Sequence, residues 1–554
     1  MNRRDLLSAA GAFAAGGTPV PAWAAAAPAA RGVRIYEPSS FGAGGGGQAL
    51  ESAAINKAID ACSAAGGGIV YLAPGTYLCG TVVLKSNVTL YLEAGATILG
   101  SRNIADYTPQ PGPPEKGDAN RRHLIFARDA VNVGLAGPGR IDGQGPSFWR
   151  YIGRKTGPED SWRDVATYDY EKLDRASPLI EFAGCRHLRI EDVRIENASG
   201  WTLRPINCEN AVIRGIAIKN PVHGPNTDGI DPTGCRNLFI ADCVVDTGDD
   251  AICLKSENPY GGEILPNRNV TITNCVLTCC CNGLKFGTAT RGVFENIAFS
   301  NSIIHNEPVE YRARVISGIA VEMVDGGRLE GIVVSNIRMQ NVRTPVFVRR
   351  GNRGAGQKTP VPGILRGVMI DNVHATGSIL TSSITGLPGF DAEDITLSNI
   401  RIDSEEAGKA EWAALAVPEK PSSYPEARMF GRLPAYGLYC RHVTGLRLRN
   451  VVLGAVKDER RPALVLDDVK DAEIDGLRAA AVSSPLPVVR LVDSRDVTIR
   501  NSHAPEGAKT YVRVEGAASA RVAVAGNTAP GAQNVVETAA GASADAVREM
   551  GNLT

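Results

Sequence analysis

Val270-Thr271-Ile272-Thr273-Asn274-Cys275 is the stretch that decides how this chain folds. Apolar and polar residues alternate, and the run closes on an asparagine followed by a small apolar residue. Strict alternation puts every second side chain on one face, the mark of a short strand with one buried side. Asn, Asp and Gly accept the left-handed turn conformation that β-branched residues resist, so the asparagine marks a corner. The same pattern recurs in Leu188-Arg189-Ile190-Glu191-Asp192-Val193, Ile332-Val333-Val334-Ser335-Asn336-Ile337 and Val497-Thr498-Ile499-Arg500-Asn501-Ser502. The corner residues in order are Asp192, Gly215, Asp242, Asn274, Asn301, Asn336, Asn372, Asn399, Asn450, Gly476, Asn501 and Gly526.

A unit of about 25 residues with two or three such strands is one turn of a parallel β-helix. Turns of this kind stack with ~4.8 Å between strands. An antiparallel sandwich needs Asn-Gly hairpins between strands, and few are present. The expected fold is therefore all-β, a parallel β-helix solenoid forming one domain over residues 32–554. Ile55, Ala58, Ile59 and Cys62 lie at helical spacing and predict a helix from Ala49 to Ala65 that caps the N-terminal end. Ile69–Leu72, Val82–Leu84 and Thr89–Leu92 read as the first turns. Ile104 to Asp174 is rich in Pro, Tyr and Trp and weakly periodic, and reads mostly as loops on one side. The 51-residue step from Asn399 to Asn450 must hold a long excursion, at about 401–440. Insertions in a solenoid gather on one face and build its binding site.

Composition narrows the function. Lys+Arg and Asp+Glu both total 59, which argues against a nucleic-acid or membrane-surface partner. The 12 cysteines include the consecutive Cys279-Cys280-Cys281 and form no disulfide framework; they read as small buried apolar residues. With 7 His and no paired ligand motifs, no zinc site, metal or other cofactor is expected. Residues 1–31 carry Arg3-Arg4 before a weakly apolar Ala/Gly stretch, and Ala22-Trp23-Ala24 offers a small-x-small cleavage site. This reads as a twin-arginine export signal, predicting a periplasmic or secreted protein with no membrane segment after its removal. A capped coil needs no partner subunit, so a monomer is expected.

Two acidic turns stand out: Asn226-Thr227-Asp228-Gly229-Ile230-Asp231 and Gly248-Asp249-Asp250-Ala251-Ile252-Cys253. Stacking Gly229-Ile230-Asp231 over Ala251-Ile252-Cys253, Gly283-Leu284-Lys285 and Gly318-Ile319-Ala320 turns the apolar middle members inward. Asp228, Asp250 and Asn282 then form one column, and Asp231, Cys253, Lys285 and Ala320 another. Strict alternation would turn Asp228 and Asp250 inward unless the preceding turn breaks it. Asp249 stands on the edge of the same site. Carboxylates so crowded repel one another and raise at least one pKa. That is the arrangement of a general acid beside a general base, which glycosidic hydrolysis requires.

These two turns, with Gly137-Pro138-Gly139-Arg140-Ile141-Asp142-Gly143-Gln144-Gly145 and Leu72-Ala73-Pro74-Gly75-Thr76-Tyr77, resemble glycoside hydrolase family 28, the pectin-degrading polygalacturonases and rhamnogalacturonan hydrolases. The resemblance implies a right-handed coil and inverting hydrolysis of a galacturonic-acid-containing polysaccharide. It also implies Asp249 as general acid, with Asp228 and Asp250 activating water. Stacked turns put carboxylates near ~5 Å, a spacing typical of retaining enzymes, in tension with the implied inversion. Asn226, Asn282, Lys285, Lys255 and Asp231 are the candidate substrate-binding residues.

The chain departs from the family twice. Cys281-Asn282-Gly283 stands where a Gly-His-Gly is usual, and Ala320-Val321-Glu322 replaces an Arg-x-Lys pair that grips a galacturonate carboxylate. Glu322 is expected to repel a uronate there, and Lys285, one turn earlier in the same column, to supply the missing charge. Lys255 and Arg291 read rather as surface residues. Trp149, Tyr151, Trp162, Tyr168, Tyr170, Tyr424, Met429, Phe430, Tyr436 and Tyr439 lie in the excursions, either as sugar-stacking walls or as packing onto the coil. Two other readings stay open: a uronate lyase or epimerase on the same fold, and a non-catalytic carbohydrate-binding coil.

Overall fold

The computed structural model describes residues 34–112, 121–155, 167–306, 315–480, 482 and 484–554. The export segment lies outside them. Strands stack in parallel from Ile35–Tyr36 to Val547–Met550. Val270-Thr271-Ile272-Thr273 pairs with Leu238–Ala241 of the preceding turn and with Ile297–Ser300 of the next. Val270 and Ile272 are buried and Thr271 is exposed, as the alternation requires.

All twelve corner residues take positive φ, from 49° at Asn501 to 78° at Gly476. Their side chains also bond from turn to turn: Asn336 Nδ2 donates to Asn301 Oδ1 at 2.9 Å and Asn372 Nδ2 to Asn336 Oδ1 at 2.7 Å. A second file of corners runs along the other end of the same strands. There Asn237 donates to Asn210 and Asn269 to Asn237, both at 2.9 Å, and Asn296 to Asn269 at 2.7 Å.

The capping helix spans Ser52–Ala64, and Ile55, Ala58, Ile59 and Cys62 are fully buried against the first turns. Burying each isoleucine contributes about 1.5–3 kcal/mol. The segment 104–174 differs from its reading as loops. Ile125–Arg128, Gly134–Ala136 and Arg140–Asp142 form a complete turn paired on both sides. Strands of three or four residues give too few alternations to register as a period of two. Trp149–Lys155 and Thr167–Lys172 then form an antiparallel pair outside the main sheet.

The long excursion lies between the strands Ala392–Ser404 and Leu438–Ala455. Asn450 still donates to Asn399 at 2.8 Å across the interruption, so the coil itself is unbroken. Ala427, Phe430, Leu433 and Ala435 of the excursion pack on Ile316, Ala320, Phe347, Tyr439 and Val465. Those residues lie on the outward face of one sheet, so the excursion covers that face beside the two acidic turns.

Candidate active site

The predicted register is observed. Ile230 pairs with Ile252, Ile252 with Leu284 and Leu284 with Ile319, all fully buried in the coil. Cys253 pairs with Lys285 and Lys285 with Ala320, forming the neighbouring outward column. Asp228 and Asp250 do not turn inward, because interlocked turns precede them. Thr227 Oγ1 donates to Gly224 O and accepts from Gly248 N, each at 3.1 Å. A Cβ at Gly248 would fall 2.5 Å from Thr227 Oγ1 and 2.7 Å from Pro221 O, so only glycine fits there. Thr247 Oγ1 donates to Asp249 O at 3.0 Å, fixing the turn that presents both acids.

Three carboxyl groups therefore meet. Asp228 and Asp250 bring oxygens within 4.8 Å of each other, and so do Asp249 and Asp250. Asp249 is partly exposed; its Oδ1 accepts from Asp250 N at 2.9 Å and its Oδ2 from Asn226 Nδ2 at 3.4 Å. Asp250 is buried, and its Oδ1 accepts from Asn282 N at 3.0 Å and Asn282 Nδ2 at 2.6 Å. Its Oδ2 lies 3.1 Å from Lys285 Nζ. Lys255 Nζ lies 2.5 Å from Asp231 and 3.3 Å from Asp228 Oδ2, while Asp228 Oδ1 has no hydrogen-bond partner.

The environments separate the three acids. Burial, then the charges of Asp228 and Asp250, push Asp249 well above the usual carboxylate range. Burial opposes ionisation of Asp250 most strongly, yet Lys285, Lys255 and the Asn282 amide together hold it below that range. Burial raises Asp228 although Lys255 opposes it, and raises Asp231 further. Both lysines lose hydration, but the facing carboxylates hold their pKa values above the ordinary lysine range.

Several expectations are corrected by this burial. Lys255 is not the surface residue that its sequence suggests; it is 5% exposed, and Lys285 is 3% exposed. Asp231 and Asn282 are likewise buried: Lys255, Lys285 and Asn282 each hold a carboxylate, and Asp231 pairs with Lys255. Asn226 alone of the five predicted binding residues is partly exposed. Glu322 is fully buried and presents no charge at the surface. Arg291 pairs with Glu257 at 3.5 Å and is partly exposed, as a surface residue should be.

Among the aromatic candidates, Trp149, Phe430, Tyr436 and Tyr439 are buried as packing residues. Trp149 sets its ring edge-on to His223 at 5.3 Å. Met429 packs against the excursion's apolar cluster, and Tyr170 is half-buried. Trp162 and the side chains of Tyr151 and Tyr168 lie outside the described residues. Tyr424 is different: it is 56% exposed, with its ring centroid 5.4 Å from Lys285 Nζ. Trp201, not singled out from sequence, caps Lys255 in the same way at 4.5 Å. Each ammonium thus sits between a carboxylate and an aromatic face. Cys281, also missed, brings its sulfur within 4.8 Å of Asp249 and Asp250. Its only signal in the sequence was its place beside Asn282.

The family model for glycosyl hydrolases family 28 matches residues 74–423, and one described as rhamnogalacturonase A/epimerase, pectate lyase-like, matches residues 39–106. A probable polygalacturonase of Vitis vinifera is 27% identical over 398 residues, covering 68% of this chain and 76% of that protein. An exo-poly-alpha-D-galacturonosidase of Dickeya chrysanthemi is 26% identical over 396 residues, 64% of each chain. The crystal structure of a hyperthermoactive exopolygalacturonase from Thermotoga maritima superposes with a TM-score of 0.54 at 26% identity, covering 67% of this chain and 87% of that one. The family match spans well over half of the sequence and contains both acidic turns, so this chain belongs to glycosyl hydrolase family 28.

Proposed function

We propose that the protein hydrolyses glycosidic bonds in a galacturonic-acid-containing pectic polysaccharide, polygalacturonan or rhamnogalacturonan, with inversion. The observation that carries this reading is the split among the three carboxyls. Asp249 is partly exposed and is driven toward its protonated form, while Asp250 is held ionised by Lys285 and Asn282. Asp249 donates its proton to the glycosidic oxygen as that bond breaks. Asp228 and Asp250 take a proton from the attacking water, with Asp228 Oδ1 free to accept it. One proton leaves Asp249 and one arrives at the Asp228–Asp250 pair, and solvent exchange resets both.

The carboxyl oxygens lie within 4.8 Å, a retaining-like spacing, but Asp250 is fully engaged and so disfavoured as a covalent nucleophile. A carboxylate that accepts two Asn282 bonds and an ammonium is a poor nucleophile. The lyase reading loses its base, since Lys255 and Lys285 are each tied to carboxylates. Asn226 and the exposed ring of Tyr424 are the sugar contacts in this reading. The N-terminal segment supports export through the twin-arginine route, where such a polymer would be met. Reducing-sugar release with product sizing on both polymers, with the anomer followed by NMR, tests the activity and its stereochemistry. Release that survives in Asp249→Asn, or retained configuration, would sink the assignment.

A further inference from the structure

Glu322 is a buried carboxyl group that the reaction above does not use. It lies on the strand Ser317–Met323, is fully buried, and neither of its oxygens has a hydrogen-bond partner. An unpartnered buried carboxylate is expensive, so its retention beside the site needs a reason. Its side chain leans back over the preceding turn: a Cβ at Gly287 would come within 2.9 Å of Glu322 Oε2. Gly287 is two residues past Lys285 on the same strand, and the Glu322 carboxyl and the ammonium that serves Asp250 act on each other electrostatically without forming an ion pair.

The other charges around it are committed elsewhere. Arg353 Nε bonds Asp325 Oδ1 at 2.9 Å, and its Nη2 bonds Asp325 Oδ2 at 2.5 Å and Thr288 O at 2.6 Å. Arg349, its register partner on the next turn, donates to Gly386 O at 2.8 Å and Glu419 O at 2.7 Å. Asp250 and Glu426 face it with like charge, and Tyr424 closes over Lys285 from the excursion. Among the described residues, Lys285 is therefore the neighbouring cation whose partner an ionised Glu322 would change.

We propose that Glu322 is a positioning residue: uncharged, it leaves the Lys285 ammonium wholly to Asp250, and when it ionises it draws that ammonium away and weakens the base. Burial, relieved only in part by Lys285, lifts the carboxyl to about 8, so it is neutral at acidic and neutral pH and charged above. This rests on the hydrolytic reading above for its kinetic consequence.

The test compares Glu322→Gln with the wild type from pH 5 to 9 on the polymer that the wild type cleaves. The activity ratio of variant to wild type isolates Glu322, because Asp249 titrates in both. Near pH 6 the ratio should stay within about threefold of one, and by pH 9 it should rise toward about tenfold. A flat ratio, or a variant equally impaired at every pH, overturns the proposal. A second readout does not need turnover. A carboxyl raised in the folded state costs nothing below its unfolded pKa and destabilises increasingly as pH climbs to its folded value. The variant should melt with the wild type at pH 4–5 and above it at pH 8–9. Parallel melting curves would overturn the ionisation even if no tested glycan were cleaved, whereas failure of cleavage alone would count against the hydrolytic reading.

Discussion

Lys285 Nζ and Asp250 Oδ2 stand 3.1 Å apart with their side chains 4% and 5% exposed, an ion pair almost wholly removed from water. Such a pair is weak evidence for stability, since desolvation offsets most of its attraction. Its value here is that it keeps one acid ionised while a neighbour within 4.8 Å is driven the other way. The Lys255–Asp228 contact at 3.3 Å repeats the device one turn earlier, less completely, because Lys255 is shared with Asp231.

Removing either member of that pair alone should be costly. Lys285→Met leaves an uncompensated buried carboxylate and should destabilise by about 3–5 kcal/mol. Asp250→Asn strands an ammonium and should also destabilise. The double variant should lose less than the sum of the two, by at least ~1 kcal/mol in urea unfolding. Additive losses would show that the pair is not coupled.

Asp249→Asn should abolish hydrolysis without unfolding the protein. Loss of the proposed general acid should remove about 10²–10⁴ in kcat. The change should appear in kcat with KM moved little, measured by reducing-sugar release.

The same variant should be more stable than the wild type at neutral pH. The folded protein keeps a proton on Asp249 that the unfolded chain releases above the ordinary carboxylate pKa. The wild type therefore loses stability as pH rises through that interval, and the neutral amide does not. A gain of about 0.5–2 kcal/mol at pH 7 that vanishes as pH falls toward 4 is expected from thermal melts. A gain constant with pH would place its origin elsewhere than in ionisation.

Much of this was legible because the coil repeats a simple rule. Asn274, Asn336 and Asn399 announced left-handed corners, and all have them. The inward residues Ile230, Ile252, Leu284 and Ile319 set the register, which placed Asp228 over Asp250 and Lys285 before Ala320. Two things could not be read. The turn at 125–142 uses strands too short to show a period. The Lys285 ammonium is covered by Tyr424, 139 residues away along the chain. Local patterning cannot report a lid delivered by a distant excursion.

The corner ladder makes a separate prediction. Asn336 holds φ at 58°, accepts from Asn372 and donates to Asn301. Asn336→Ala should pay the left-handed penalty of about 1–2 kcal/mol as well as the lost bonds. Asn336→Gly loses the bonds but keeps the conformation, so it should be the milder change in chemical unfolding. Equal losses would assign the position's stability to the ladder alone.

Tyr424 joins the excursion to the chemistry. It is more than half exposed, yet its hydroxyl lies 3.4 Å from Lys285 Nζ and its ring faces that ammonium. In the proposed reading the exposed aromatic face beside the acids offers a platform for a sugar ring, and Phe430 and Leu433 join Phe347 and Ala320 in the apolar cluster under the excursion. Tyr424→Ala should raise KM about tenfold, the order of one lost stacking contact. Tyr424→Phe keeps the ring and loses only the hydroxyl, so its KM should stay within about threefold. If the excursion also closes one end of the groove, the wild type releases short products from the start of a digest. Tyr424→Ala then shifts early products toward longer oligosaccharides, because the wall that stops the chain has been removed. Long products from the wild type at the outset would show that the groove is open past Tyr424, and the KM effect would then stand as stacking alone.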